Sequence, residues 1–583
     1  MTNHHPNCVI RIPAKDTFST SGPSLMGRQS ANEGFLKAWF SYSGHQEFWC
    51  MARYRSEAET FARLGESVDA DRARTSVYRW VPQNLIHRAA AIGSVYVPGP
   101  QVADISWIRR RDTKVRAADF SIVGMTHTSC ELPIQDALAN MLTAPVYDWD
   151  AQICPSHSVH TMVKRLLDDE AAWLSEHLNA KRIIQPQLPI IPIGVDCNWF
   201  APESKIKNDH RQHWRARWQL QEGDVCVLYM GRLDLRTKAN LFPMLDALEL
   251  AAQRLKREAS SALVLVLAGW FATESDEKTI REAIATVCSN YRVIVEDGRP
   301  LDARRGLWHA ADIFTSLVDN IQETFGLTPI EAMAAGLPVV VSDYDGYRES
   351  VRHGIDGYRV PTIQPPAGAG IDLIDGHADV MMSYQDYVGQ ASAMIGINMQ
   401  AAADAFFNLA TNPSLRKQMG AEGQKRAREH YDWAMLIPRY MELLNDLEQA
   451  RQLARNLDRD WTGNLASADF GARNPRRSDP FHSFKHYASD VVGLETRLYP
   501  GPLFLADKNA RSSLLRSQLE RPVYQVVRPH LYLETLESLL DMVASQPQGL
   551  RLGSFATSHA SIEDSSGWLR QVGWLVKAGF VVN

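Results

Sequence analysis

Between Asp224 and Ser342, short uninterrupted apolar runs alternate with longer stretches in which apolar residues recur every three or four positions. VCVLYMG (225–231) and ALVLVLAG (262–269) read as strands, with helices predicted around Leu241–Leu255 and near 276–289 and a further strand at Tyr291–Val295. Residues 301–310, 312–316, 329–335 and 338–342 continue the same alternation. Strands that are apolar at every position need cover on both faces, so the pattern predicts a parallel sheet between two helical layers, a Rossmann-like domain. The first ~200 residues are less regular but keep the same vocabulary. FSIVGMT (120–126) and AQICPS (151–156) read as strands, and a helix runs from Gly27 into Phe40. The expected class is therefore α/β, with two Rossmann-like domains facing a cleft.

Breaks in the pattern divide the chain. IPIGVDCNWFAP (191–202), with two prolines and a Gly-Val-Asp turn, reads as an interdomain connection. The expected divisions are a first domain at 1–200, a second at 201–455, a linker at 456–480 and an extension at 481–583. The Pro/Gly-rich IQPPAGAG (363–370) opens an insertion in the second domain that runs to about residue 398, and the helix 433–455 is expected to cross back to the first domain. The apolar face and final strand of SSGWLRQVGWLVKAGFVV suit a small winged-helix-like module.

Composition narrows the classes. A net charge of -5 argues against a general nucleic-acid binder. Seven cysteines, odd in number and without a C-x-x-C pair, fit reduced thiols better than a disulfide framework or a zinc site. The start lacks the apolar stretch of a secretory signal, and no run reaches the ~20 apolar residues of a membrane helix. The expectation is a cytoplasmic protein. The basic cluster Arg109, Arg110, Arg111, Lys114 and Arg116 beside Trp107 and Ile108 leaves room for peripheral contact with the inner face of a membrane.

The richest chemistry lies in ETFGLTPIEAMAAGLPVVVSD (323–343). Thr328, Pro329 and Glu331 have the spacing of a capping box, with Thr at N-cap, Pro at N1 and Glu at N3. The TFGL loop ahead of that helix can then aim backbone N–H groups at an anion, and a pyrophosphate suits such a helix end. In GRLDLRTK (231–238), Arg232 and Lys238 follow the first strand of the same domain, at the ligand-binding end of a parallel sheet. Two cations there can neutralise a leaving diphosphate.

These stretches resemble family 4 of the retaining glycosyltransferases, which have the GT-B fold; the resemblance covers roughly residues 15–455. It implies that Glu323 lies by the donor sugar, that Glu331 holds the ribose hydroxyls and that backbone amides from Phe325, Gly326, Leu327 and Thr328 meet the sugar and phosphates. It implies that Arg232 and Lys238 meet the diphosphate. DGYRESVRHGIDGYRV (345–360) is similar to the family's stretch after the next strand, and IPIGVDCNWF to its interdomain crossing. SGPSLMGRQSANEGF (21–35) resembles the glycine loop facing the donor, with Gly27 at the helix start, and VGMTHTS (123–129) the strand end that carries a histidine near the reaction centre, here His127.

The chain departs from the family in three places. Ser316 is seven residues before Glu323, which makes that loop longer; Thr324 follows the glutamate where the family commonly has glycine; and Ala239 follows the lysine where glycine is frequent. The resemblance implies transfer with retention, from a UDP-, GDP- or ADP-sugar to a glycan, lipid-linked or small-molecule acceptor, with no metal or other cofactor required. The Asp-x-Asp pairs at Asp69/Asp71, Asp343/Asp345 and Asp458/Asp460 are given no role. The extension is expected to mediate self-association or partner binding. Two alternatives stay open: a nucleotide-sugar-binding scaffold without turnover, and another GT-B activity such as an epimerase or hydrolase.

Overall fold

The computed structural model describes residues 6–13, 18, 27–68, 75–259, 261–457, 473–558 and 567–583. Residues 21–26 of the glycine loop and the pairs Asp69/Asp71 and Asp458/Asp460 lie outside them. The chain divides into two compact units, Met1–Asn474 and Pro475–Asn583.

The first unit holds two six-stranded sheets. In the first, β1 (Val9–Ile12), β2 (Glu47–Ala52), β3 (Val77–Pro82), β4 (Ser94–Val97), β5 (Ser121–Met125) and β6 (Ala151–Ile153) lie in the order β3-β2-β1-β4-β5-β6. In the second, β7 (Asp224–Met230), β8 (Ala262–Gly269), β9 (Arg292–Asp297), β10 (Ile313–Ser316), β11 (Val339–Ser342) and β12 (Gly357–Val360) lie in the order β12-β11-β10-β7-β8-β9. Every pairing in both sheets is parallel. Val227, Leu228, Leu265, Val266 and Leu267 are wholly buried, as a sheet covered on both faces requires. Each order reverses direction once, between β1 and β4 and between β7 and β10, and ligands of such sheets collect outside the strand ends at that point. This is a pair of Rossmann-like domains.

The chain crosses between the domains twice, and the crossings are pinned together. Val195 N–H donates to the Tyr431 carbonyl at 2.8 Å and Trp433 N–H to the Val195 carbonyl at 3.1 Å. The helix Trp433–Asn456 then lies on the first domain. Phe35 stacks on Tyr96 at 4.4 Å and meets Tyr440 at 5.0 Å, while Arg451 and Arg455 donate to the carbonyls of Asp119 and Ala118.

The basic cluster at 109–116 is not a uniform surface patch. Arg109 is buried, and its guanidinium forks onto Asp150 at 2.8 and 2.7 Å and donates to the Phe120 carbonyl. A charge taken out of water needs such pairing, so Arg109 is structural, whereas Arg111, Lys114 and Arg116 are exposed. The insertion forms a short antiparallel pair, β13 (Thr362–Ile363) with β14 (Gly396–Ile397), that encloses the helices Ile371–Ala378 and Tyr384–Ala393. The second unit has a core of its own, including Leu498, Leu536, Phe555 and Trp568. Its strands β15 (Arg497–Pro500), β16 (Leu550–Arg551) and β17 (Val581–Val582) form an antiparallel sheet, with two helices in the chain between β16 and β17 where a wing hairpin would join them directly. No helix among the described residues is long and apolar enough to cross a membrane.

Candidate active site

The loop after β7 is folded by its own aspartate. Asp234 accepts from the backbone N–H groups of Arg236 and Thr237 at 3.0 and 2.8 Å, an Asx-type turn. Arg232 donates to Thr237 Oγ1 at 2.8 Å and approaches Asp234 at 3.4 Å. Gly269 lets β8 come close beneath this loop, since a Cβ there would fall 1.9 Å from the Gly231 carbonyl oxygen. Lys238, at the end of the turn, reaches across to Glu323 with Nζ 2.6 Å from Oε2.

The loop from Leu317 to Gly326 is stapled to that turn. Asn320 donates to the Arg236 carbonyl at 2.8 Å and Gln322 to the Thr237 carbonyl at 3.0 Å. The helix that follows starts earlier than its sequence suggests: it spans Leu327–Ala334, its N-cap is Gly326, and no side chain caps it. The expected capping box is therefore absent. Gly326 has φ of +81° and lies against the ring of Tyr347, where a Cβ would fall 1.8 Å from Cε1. That glycine takes the left-handed turn a threonine could not, so Thr328 falls inside the first helical turn and Glu331 in the second.

The two glutamates have opposite electrostatics. Burial by itself would raise Glu323, but the Lys238 ammonium and the N–H groups of Thr324 and Phe325 outweigh it and hold the carboxyl below its ordinary range. Burial dominates at Glu331 and pushes its pKa up to about 7, although Lys238 and Arg304 pull the other way. Glu331 is free of cap duty.

From the first domain come Gly27, which opens the helix Gly27–Tyr42, and His127, just beyond β5. A Cβ at Gly27 would meet nothing within 4 Å among the described residues. Burial, with the Arg28 charge beside it, lowers the pKa of His127 to about 4. Its Nε2 is buried without a hydrogen-bond partner among the described residues. The two domains meet at Thr324, whose hydroxyl donates to the His127 carbonyl at 3.1 Å while its own carbonyl accepts from Ser156 Oγ at 3.0 Å. A glycine there would keep only the second of these bonds.

All the residues singled out above, namely Gly27, His127, Arg232, Lys238, Glu323, Phe325, Gly326, Leu327, Thr328 and Glu331, line one cleft of about 1170 Å³ between the domains. Trp270, Arg304, Gln322 and Tyr384 line it too, and sequence reasoning missed them. Tyr384 lies in an insertion that carries no motif. Arg304 is one of two arginines on an amphipathic helix, and its position after the third strand of the sheet is the sole signal it offers. No cluster of His, Cys, Asp or Glu among the described residues has the arrangement to hold a metal ion.

Residues 210–368 match the model of the family described as glycosyl transferases group 1. The chain is 28% identical over 326 residues to the phosphatidyl-myo-inositol mannosyltransferase of Mycobacterium tuberculosis, which covers 56% of this chain and 67% of that protein. It is 31% identical over 198 residues to the D-inositol 3-phosphate glycosyltransferase of Nocardiopsis dassonvillei, which covers 33% of this chain and 42% of that protein. Among solved structures, the Anabaena protein Alr3699/HepE in complex with UDP is 13% identical and covers 78% of this chain and 100% of that chain, with a TM-score of 0.46. The matched 210–368 segment contains Arg232, Lys238, Glu323 and Glu331; His127 and Gly27 lie outside it.

Proposed function

We propose that this chain, a glycosyltransferase whose residues 210–368 match the group 1 family, transfers a sugar with retention from a nucleotide-sugar donor to an acceptor held against the first domain. The observation that carries the reading is the Lys238–Glu323 contact at the mouth of a helix whose N-terminus opens onto the same cleft as Arg232 and Glu331. Arg232, Lys238 and the N–H groups from Phe325 to Thr328 supply positive charge for the leaving diphosphate, which is the main electrostatic demand of the reaction. Glu331 accepts from ribose hydroxyls. Glu323 meets the sugar, and its charge is balanced by Lys238 before any ligand enters.

A two-step route needs a carboxylate free to attack the anomeric carbon. Glu323 is engaged with an ammonium at 2.6 Å and is a poor nucleophile in that state. The reading therefore favours departure and attack on one face, with the leaving phosphate taking the acceptor's proton. His127, neutral above about pH 4, serves as a hydrogen-bonding partner near the reacting hydroxyl and not as a cation. The charge already in the cleft makes a metal unnecessary. Lipid-linked and glycan acceptors are the first to try, inositol lipids among them, and the exposed Arg111, Lys114 and Arg116 offer a weak anionic-surface contact.

The test is a screen of UDP-, GDP- and ADP-sugars by thermal shift, followed by donor consumption with and without acceptor, in EDTA. One nucleotide class should raise the melting temperature, and transfer should persist in the chelator. Binding without any turnover would favour a scaffold, turnover to free sugar or a rearranged donor would favour a hydrolase or epimerase, and activity restored only by manganese or magnesium would remove the metal-independent mechanism.

A further inference from the structure

The loop that carries Glu323 is longer than its family pattern, and the insertion reaches the residues that lengthen it. Tyr384 opens the insertion's second helix and faces the cleft. Its hydroxyl donates to Gln322 Oε1 at 2.8 Å and lies 3.2 Å from Cys130 Sγ, a buried thiol of the first domain. Gln322 spends its amide N–H on the Thr237 carbonyl at 3.0 Å, next to Lys238 in the chain. A single phenol thus joins the insertion, the first domain and both loops that present the Lys238–Glu323 pair. The helix behind it is held close to the same turn, because a Cβ at Gly389 would fall 3.1 Å from the Arg236 side chain.

We propose that Tyr384 is a positioning residue for glycosyl transfer: through Gln322 it fixes the lengthened Glu323 loop, and through Cys130 it ties that loop to the acceptor-side domain. A longer loop samples more conformations, and each one that displaces Glu323 from Lys238 loses the charge balance at the sugar. The insertion restores by tertiary contact the order that a shorter loop has by its length. This inference rests on the transferase reading for its effect on rate, but the tie itself can be read without a donor.

The experiment compares the full chain with Tyr384→Phe, which keeps the ring and removes the hydroxyl. Amide hydrogen exchange across 320–326 should quicken roughly tenfold, with exchange in β9 unchanged. The kcat should fall roughly tenfold, while affinity for the nucleoside diphosphate stays within about twofold. Asp386→Asn, on the same helix as Tyr384, weakens the solvent-facing pair with Arg236 of the loop after β7 and the bond from the Ser383 hydroxyl, and should leave kcat within about twofold. Adding Gln322→Ala to Tyr384→Phe should cost little more than either change alone, since both cut one chain of contacts. Unchanged exchange in 320–326 overturns the proposal whatever the donor is found to be, and so does an unchanged kcat. A parallel loss of kcat, diphosphate affinity and melting temperature would make Tyr384 a packing residue and also overturn it. If the wild-type chain turns over no donor, the transferase reading fails and the exchange result still decides whether the tie exists.

Discussion

The two Rossmann-like domains share a strand order but present different mouths to the cleft. On the second domain nearly every polar group singled out is already engaged: Lys238 with Glu323, Arg232 with Thr237 and Asp234, Asn320 and Gln322 with the backbone of the opposite loop. On the first, His127 Nε2 is buried and unpaired among the described residues. An unsatisfied buried nitrogen costs stability unless something arrives to meet it. The contrast fits the proposed reading, in which the donor side is built before ligand binds and the open nitrogen of His127 is met by the acceptor. Preorganised charge costs no rearrangement at the moment of bond breaking, which suits the side where the diphosphate departs.

The change expected to break that contrast most severely is Glu323→Gln. It removes the partner of Lys238 and the carboxylate at the sugar, so kcat should fall ~100- to 1,000-fold. Diphosphate binding should hold or tighten, because Lys238 is released. Transfer at the wild-type rate would remove Glu323 from the active site and with it the main mechanistic claim.

Glu331→Gln comes next. With no cap to lose, the unliganded melting temperature should barely move, while donor affinity falls roughly 10- to 150-fold from weaker hydrogen bonds to the ribose. The pH dependence has a definite sign. The free carboxyl has its pKa raised to about 7, and ribose hydroxyls favour the ionised form, so binding releases a proton near neutrality. Affinity for an intact nucleotide-sugar should rise as pH climbs through about 7 and then level off, and the glutamine variant should be flat. Titration of both proteins between pH 5.5 and 8.5 (~3 units, ample for one group) reads the slope directly, and equal slopes would place Glu331 away from the ribose.

The smallest effect is expected on the open side. His127→Gln should leave donor affinity unchanged and lower transfer about fivefold, the worth of one hydrogen bond. Its folded pKa of about 4 lies below the unfolded value, so the stability that the neutral ring contributes is present above the unfolded pKa and is lost as pH falls toward 4. The glutamine variant should lose that part of the acid sensitivity in urea melts at pH 4 to 7 (~3 units around an ordinary His pKa). A drop in donor affinity instead would mean the histidine faces the donor, and the contrast between the two mouths would fail.

Much of this was legible along the chain. VCVLYMG and ALVLVLAG are apolar at every position, and only a sheet with helices on both faces satisfies such strands, so the doubly wound class followed from local pattern. Arg232 and Lys238 stand out in the loop after one such strand, and Glu323 and Glu331 in the string that runs from the loop after another into the next helix. Thr-Pro-x-Glu has the spacing of a cap, yet the steric fit of Gly326 against Tyr347, 21 residues away, decides where the helix begins. A run of arginines usually marks a surface, whereas Arg109 is buried against a partner, Asp150, that lies 41 residues on.

Sequence by itself determined which residues could carry charge and at which strand ends they would stand, since strand burial and turn chemistry act over a few neighbouring positions. Only the tertiary structure decided what those charges meet. Thr324 reaches His127 across 197 residues and Tyr384 reaches Cys130 across 254, and no local pattern encodes either distance. The same holds for the two glutamates, identical in type and eight residues apart. One is ionised by an ammonium from another loop and the other is kept near neutral by burial, because a carboxyl's pKa depends on the surroundings that packing gives it.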